Sequence, residues 1–144
     1  MNSIIVYGSN YGTTKQYANE LSRRTNMKVI SFKKVNQQIN DYDNIIYLGA
    51  LYAGGVLGMS KMLKKLNNIS NKKIIIVTVG LSDPTDEVNK NNIRNNIKNQ
   101  MPKKFFEKAK IFHLRGGIDY SKLNFAHKTM MKLLYNAVKN LPKE

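Results

Sequence analysis

The sequence predicts an α/β domain: a parallel five-stranded sheet between two layers of helices, a three-layer sandwich with strand order 2-1-3-4-5. Short apolar runs lack the alternation of half-exposed strands and are typical of strands buried on both faces. Segments with the 3.6-residue periodicity of amphipathic helices separate these runs. Alternating strands and helices favour right-handed crossovers, and five strands in one small domain fit the doubly wound order.

Five segments are predicted as strands. The first, third and fourth are nearly continuous apolar runs, whereas the second and fifth are weaker. In chain order they cover residues 3–7, 28–32, 44–48, 74–79 and 110–114.

Four segments are predicted as helices, at about 13–25, around 59–66, around 93–101 and at about 122–140. Their apolar faces carry Tyr17, Ala18 and Leu21; Met59, Met62, Leu63 and Leu66; Ile93, Ile97 and Met101; and Ala126, Met130, Leu133, Leu134, Ala137, Val138 and Leu141. Residues 33–43 are too few for a full crossover helix, so only a turn or two is expected there.

The composition is that of one globular domain, which we take as residues 1–144. A chain of this length buries roughly two thirds of the surface that its unfolded form exposes, and 42% hydrophobic and 23% charged residues are ordinary values. Cysteine is absent, which excludes disulfides, thiolate metal sites and cysteine nucleophiles. No export signal or membrane span is recognisable, so a cytoplasmic location is expected.

The net charge of +15 has two interpretations. One is docking to an anionic partner, such as an acidic protein or a membrane surface. The other is compositional drift, which the sequence favours because 20 Lys but only 4 Arg accompany 19 Asn. Surfaces that bind nucleic acids usually rely on the bidentate contacts of Arg, so a nucleic-acid partner is not expected.

Residues 8–14, which lead from the first strand into the first helix, form a candidate phosphate-binding loop. Small residues let several backbone N–H groups converge, and Ser and Thr hydroxyls add donors. The helix N-terminus contributes about half a positive charge. In a doubly wound sheet, ligands bind beyond the carboxyl ends of the strands where strand order reverses, here beside the loops after the first and third strands.

Other phosphate-related loops fit less well. A P-loop would need a longer spacing than that from Gly8 to Gly12 and a Lys in place of Thr13. The dinucleotide fingerprint GxGxxG is missing, and a tyrosine-phosphatase loop would need a cysteine. A receiver domain would need acidic residues after the first and third strands, where this chain has none. A tight glycine turn without a ligand also remains open.

The loop resembles a known signature. The pattern Y-x-S-x-x-G-x-T-x-x-x-A over residues 7–18 is similar to the phosphate signature of flavodoxins, S/T-x-T-G-x-T, with Tyr11 where that family usually has Thr. Segments 49–54 (GALYAG) and 115–120 (RGGIDY), with 130–134 (MMKLL), resemble the flavodoxin-domain subgroup that contains the menaquinone-dependent protoporphyrinogen oxidase of haem synthesis. The resemblance covers nearly the whole chain.

The resemblance implies a flavodoxin-like fold and a flavin mononucleotide (FMN) held by three loops. Residues 9–14 would take the phosphate, residues 51–55 would pass beside the isoalloxazine ring, and residues 79–83 would line its other edge through backbone groups. Tyr52 is either a stacking side chain or an ordinary aromatic over the sheet end. The implied cofactor-binding residues are Ser9, Asn10, Tyr11, Gly12, Thr13, Thr14, Ala50, Leu51, Tyr52, Ala53, Gly54, Gly55, Val79, Gly80, Leu81, Ser82 and Asp83.

Three functions remain open at this point. The subgroup implies an FMN-dependent oxidoreductase that acts on a quinone or another small substrate. The first alternative is an electron carrier between protein partners, although carriers of this family are usually acidic. The second is a cofactor-free interaction module on the same fold. No catalytic side chain is identified, and His113 and His127 are interpreted as structural or solvated.

The last predicted helix, residues 122–140, also has two interpretations. It combines bulky apolar residues with lysines: Phe125, Met130, Met131, Leu133 and Leu134 with Lys122, Lys128, Lys132 and Lys139. Such a helix can lie on an anionic membrane, at the inner face of which the protein would then be peripheral. Alternatively it closes the sheet. The resembled oxidase has a further C-terminal stretch, so either this helix closes the sheet or an extension is lacking.

Overall fold

In the part of the chain that the structure describes, five parallel strands form a central sheet. The computed structural model describes residues 2–9, 12–52, 55–67, 71–80, 87–115 and 125–141. The parallel strands are β1 (Ser3–Gly8), β2 (Lys28–Ser31), β3 (Asn44–Tyr52), β5 (Lys73–Gly80) and β6 (Lys110–Arg115). A two-residue strand, β4 (Gly55–Val56), pairs antiparallel with the end of β3. The sheet order β2-β1-β3-β5-β6 confirms the predicted order of the five parallel strands.

The strand register brings three strand ends to one edge of the sheet. Gly8 at the end of β1 lies opposite Gly49 of β3, and Gly49 lies opposite Thr78 of β5. β3 then continues three residues further, to Tyr52. The carboxyl ends of β1, β3 and β5 therefore lie side by side at what we call the C-terminal edge.

Within the described residues, five α-helices flank the sheet: α1 (Thr13–Thr25), α2 (Met59–Leu63), α3 (Glu87–Gln100), α4 (Lys103–Lys108) and α5 (Phe125–Lys139). The bounds of α1 are those predicted, and α4 was not predicted. The second helix is shorter than the apolar pattern indicated. The amides of Lys65 and Leu66 bond to carbonyls three residues back, so the chain tightens into a turn after Leu63. Leu66 still packs, partly buried, against the core.

The two faces of the sheet carry separate apolar cores because side chains alternate along each strand. Ile4 and Val6 of β1 belong to the core beneath α2, α3 and α4. Ile5 belongs to the core beneath α1 and α5, together with Tyr17 and Leu21 of α1. This arrangement is the predicted three-layer sandwich, and it explains why the central strands are apolar at nearly every position.

Two 3-10 turns, Phe32–Lys34 and Gln37–Asp41, replace a crossover helix between β2 and β3, as predicted. The side chain of Asn40 joins the second turn to the chain after α2: its amide donates to the Lys65 carbonyl (2.9 Å) and accepts from the Asn67 N–H (2.8 Å). The ammonium of Lys72, which is buried, donates to the carbonyls of Asn40 (3.0 Å) and Tyr42 (2.6 Å). Side chains thus hold in place a segment that is too short for a helix.

The helix α5 covers the α1 side of the sheet. Leu134 and Val138 are fully buried in that core with Leu114 of β6, whereas the side chain of Leu133 is 56% exposed. The structure therefore favours the interpretation that this helix closes the sheet. Residues 122–124 of the predicted helix lie outside the described residues. Among the residues that are described, no helix is both long and apolar enough to cross a membrane.

Candidate functional site

The turn between β1 and α1 is the first part of the candidate site. Gly12 precedes α1 with φ 94° and ψ −143°, a conformation that favours glycine, and a Cβ there would meet no atom within 4 Å. The first turn of α1 contains no acidic residue, and its first intrahelical hydrogen bond runs from the Gln16 N–H to the Gly12 carbonyl (3.3 Å). Because N–H groups of a first helical turn point out along the axis, this end of α1 is suited to an anion.

A β-hairpin, not an irregular loop, forms the second part. Beyond the parallel strands, the end of β3 pairs antiparallel with β4, with Leu51 opposite Val56 and Tyr52 opposite Gly55. The Leu57 N–H donates to the Ala50 carbonyl (2.9 Å) and extends the pairing. Residues 50–52 and 55–57, which we call the site hairpin, are therefore paired with each other at the C-terminal edge.

Tyr47 supports the site hairpin from beneath. Its side chain is fully buried, and its hydroxyl donates to the Leu57 carbonyl. A Cβ at Gly8 would collide with both of these groups, and a Cβ at Gly49 would collide with Val56. Gly8 at the end of β1 and Gly49 within β3 thus let residues 56 and 57 of the hairpin lie directly against the strands.

Gln100, the last residue of α3, holds the other side of the hairpin. Its Oε1 accepts a hydrogen bond from the Val56 N–H at 2.9 Å. A Cβ at Gly55 would lie 2.5 Å from Gln100 Nε2, so the carboxamide packs against the Gly55 backbone. This contact joins residues 44 positions apart, and no local pattern in the sequence indicates it.

The end of β5 is the third part of the candidate site. Val79 lies opposite Ala50, but its side chain is buried in the core beneath α1 and α5. Gly80 lies against Leu51, because a Cβ there would approach Leu51 Cδ1 to 2.8 Å. Val79 can therefore contribute to a ligand site through its backbone only; its role towards a flavin remains a prediction.

His113 of β6 is buried next to the same edge. Its Nδ1 is hydrogen-bonded to Oγ1 of Thr78, which is also buried (2.7 Å). Burial, with the positive charges of Arg94 and Lys90 on α3, lowers the pKa of His113 to about 4. The imidazole is therefore neutral at physiological pH and is buried with Thr78 as its hydrogen-bond partner, not solvated.

The structure brings together about half of the implied cofactor-binding residues. Ser9, Gly12, Thr13, Ala50, Leu51, Gly55 and Gly80 lie at the C-terminal edge, whereas the side chains of Thr14 and Val79 are buried. Tyr52 is described for its backbone alone, so its stacking role remains a prediction. Asn10, Tyr11, Ala53, Gly54, Leu81, Ser82 and Asp83 lie outside the described residues.

A separate groove of about 520 Å³ lies at the opposite edge of the sheet, where β5 and β6 begin. Lys73 and Lys110 are exposed on its rim, and Ile74 and Leu141 contribute apolar atoms. It shares no residue with the three parts of the candidate site.

Comparisons with known proteins agree with this architecture. A family model described as "Flavodoxin domain" matches residues 4–143. A search of curated protein sequences found no significant match.

Solved structures with the same fold include flavodoxins and a reductase. Oxidised flavodoxin 1 from Bacillus cereus has a TM-score of 0.64 and 13% identity, with 99% of this chain and 100% of that chain covered. An FMN-dependent NADH-azoreductase from Bacillus anthracis, in complex with FMN, has a TM-score of 0.65 and 9% identity at the same coverage, 99% and 100%. The flavodoxin from Fusobacterium nucleatum bound to FMN has a TM-score of 0.61 and 13% identity, again covering 99% and 100%.

These TM-scores show a shared fold, and the family model accounts for nearly the whole chain. With the confirmed strand order and the glycine turn before α1, they lead to one conclusion: the chain belongs to the flavodoxin-domain family.

Proposed function

We propose that this protein binds FMN at the C-terminal edge and acts as a redox protein. The proposal rests on one observation: three structural parts lie together at this edge. They are the N-terminus of α1, whose first turn has no acidic residue, the site hairpin, and the end of β5. In this arrangement the backbone around Gly12 and Thr13 binds the phosphate, and the site hairpin flanks the ring. FMN, when bound, supplies one- and two-electron transfer, while the protein orients it and tunes its potential.

The test is a titration with FMN and with riboflavin, which lacks the phosphate. We expect FMN to bind at least about tenfold more tightly than riboflavin. The phosphate gains several charge-assisted hydrogen bonds, and a tenfold difference in affinity requires only about 1.4 kcal/mol of binding free energy. Quenching of flavin fluorescence measures both affinities. If neither flavin binds saturably, the chain is a cofactor-free module; if both bind equally, the phosphate is not held at α1.

A charge variant locates the phosphate. Thr13→Glu places a carboxylate in the first turn of α1, where it stabilises the helix but repels a phosphate. We expect a loss of FMN affinity of about tenfold or more with little change for riboflavin. Gln16→Glu carries the same charge on an exposed residue further along α1 and serves as the control. An equal effect of the two variants would place the phosphate elsewhere.

Within this role, we propose an oxidoreductase acting on a quinone or another small amphipathic substrate, in preference to a carrier between proteins. The net charge of +15 is unlike the acidic surface usual in carriers of this family. The narrower resemblance to protoporphyrinogen oxidase rests on the sequence motifs alone. FMN-loaded, chemically reduced protein should be reoxidised by a quinone at a rate that saturates with quinone concentration. A slow rate that rises linearly would favour the carrier.

We also propose a cytoplasmic protein that contacts the inner face of the membrane through α5. Leu133 is exposed on this helix between the exposed Lys132 and the buried Leu134. An apolar side chain beside a lysine suits binding to anionic lipid. Vesicles with anionic lipid should retain the protein at low salt, and Leu133→Ser should weaken retention. Equal binding to neutral vesicles would contradict the proposal.

A further inference from the structure

We propose that Gln100 is a positioning residue for the cofactor, acting from α3 through the site hairpin without touching the ligand. The inference rests on the proposed FMN function. It assigns a role to Gln100, which lies 44 positions in the sequence from Val56, the residue whose N–H it binds. The Val56 N–H donates to its Oε1, and its carboxamide packs against Gly55.

The position of Gln100 is itself fixed by the core. Ile97, one turn earlier on α3, is fully buried, and Met101, the next residue, is 6% exposed. Both belong to the core that contains Val56 and Met59. The carboxamide of Gln100 is therefore attached to a backbone that the core holds on both sides.

The hydrogen bond to Val56 lies where the described strand pairing of the hairpin is short. The paired part of β4 is only two residues long, and Val56 N–H faces α3 instead of β3. The Tyr47 hydroxyl holds the next residue, Leu57, from beneath the strand ends. Gln100 and Tyr47 thus restrain the adjacent residues Val56 and Leu57 from two directions, so loss of the Gln100 bond leaves the Tyr47 hydroxyl and the pairing with β3 to hold this part of the hairpin.

Matched variants separate the hydrogen bond from the size of the side chain. Gln100→Met keeps length and helix propensity but removes the acceptor, whereas Gln100→Glu keeps an acceptor. Asn99→Leu, on the neighbouring exposed residue, controls for a general change at the end of α3. Because Val56 N–H is left without its partner in Gln100→Met, the hairpin must move or lose a buried bond.

We expect Gln100→Met to weaken FMN binding about tenfold, to shift the midpoint potential of bound FMN and to speed amide exchange in residues 50–57 of the free protein. Gln100→Glu and Asn99→Leu should keep wild-type exchange and affinity to within about twofold. Exchange is measured without FMN, so it tests the positioning of the hairpin even if the wild type binds no flavin. Failure of wild-type binding refutes the proposed function. Unchanged exchange in Gln100→Met, or unchanged affinity and potential despite faster exchange, overturns the role of Gln100.

Discussion

At the residue scale, Gly12 shows how one backbone conformation shapes the candidate site. Its φ of 94° with ψ of −143° turns the chain from the end of β1 into α1. A Cβ there would have free space around it, so the cost of any other residue comes from the backbone alone. The sequence shows Gly8 and Gly12 at this loop, but only the structure identifies Gly12 as the one with a positive φ.

Gly12→Ala is expected to lower the free energy of unfolding by about 1–3 kcal/mol, since alanine rarely adopts this conformation. Urea denaturation followed by circular dichroism measures the change. Lys15→Ala, an exposed residue of the same helix, should leave stability within about 0.5 kcal/mol. An equally small effect of Gly12→Ala would mean that alanine tolerates this turn.

His113 provides a second expectation at this scale, for stability against pH. Its pKa is about 4 in the folded protein, compared with about 6.5 when unfolded, so the unfolded chain binds the proton more readily between these values. The contribution of the neutral His113 to the free energy of unfolding should therefore be complete above pH 6.5 and should fall as the pH drops from 6.5 towards 4. A shift of this size is worth about 3 kcal/mol, which residual solvent contact reduces to about 2 kcal/mol.

The measurement compares the wild type with His113→Asn, which still offers Thr78 a polar partner but does not titrate. The difference in unfolding free energy between the two proteins should be constant above pH 6.5 and should shrink or reverse at lower pH. If this difference does not change between pH 6.5 and 4, the imidazole is not held neutral by the fold.

At the element scale, the strands and the β1–α1 turn could be predicted because their signals are local. Apolar runs such as Ile74 to Val79 and the periodicity of α1 need only neighbouring residues. The β4 strand could not be predicted, because a strand of two residues is too short to show a periodic pattern of apolar residues. The hydrogen bond from Val56 to Gln100 and the pairing of Thr78 with His113 link segments far apart in the chain.

The connection between β2 and β3 gives a test that separates stability from binding. The side chain of Asn40 makes four hydrogen bonds: Nδ2 donates to the carbonyls of Gln37 and Lys65 and to Oε1 of Gln37, and Oδ1 accepts from the Asn67 N–H. Asn40→Ala should reduce stability by about 1–3 kcal/mol. It should leave FMN affinity unchanged, because the second 3-10 turn precedes the start of β3, far from the C-terminal edge.

Stability from thermal or urea unfolding and affinity from flavin quenching are measured on the same preparation. Gln38→Ala, an exposed neighbour in the same turn, is the control for stability. A loss of FMN affinity in Asn40→Ala at temperatures where the protein is folded would show that this turn is coupled to the candidate site.

At the scale of the whole molecule, the charge of +15 acts on folding as well as on partners. The nine acidic residues cannot neutralise 24 basic ones, and ion pairs with Arg23 and Arg24 already engage Glu20 on α1. Mutual repulsion of the remaining lysines opposes the compact state. The excess of Lys was visible in the sequence, but its effect depends on the whole surface.

The thermal midpoint should therefore rise as NaCl increases from about 0.01 M to about 0.15 M, over which the Debye length falls from about 30 Å to about 8 Å. KCl should give the same rise at equal ionic strength, because screening does not depend on the identity of the cation. A midpoint that stays level or falls would indicate that repulsion between lysines contributes little to folding.

The central position of β3 has a thermodynamic consequence. The strand is hydrogen-bonded on both sides, contributes to both cores, and continues into the hairpin proposed to flank FMN. A ligand that holds the end of this strand binds only the folded chain, so ligand occupancy and global unfolding are linked equilibria. At a free FMN concentration of about one hundred times Kd, this linkage adds about 2.7 kcal/mol of stability. The availability of cofactor in the cell would thus set the fraction of the protein that survives proteolysis.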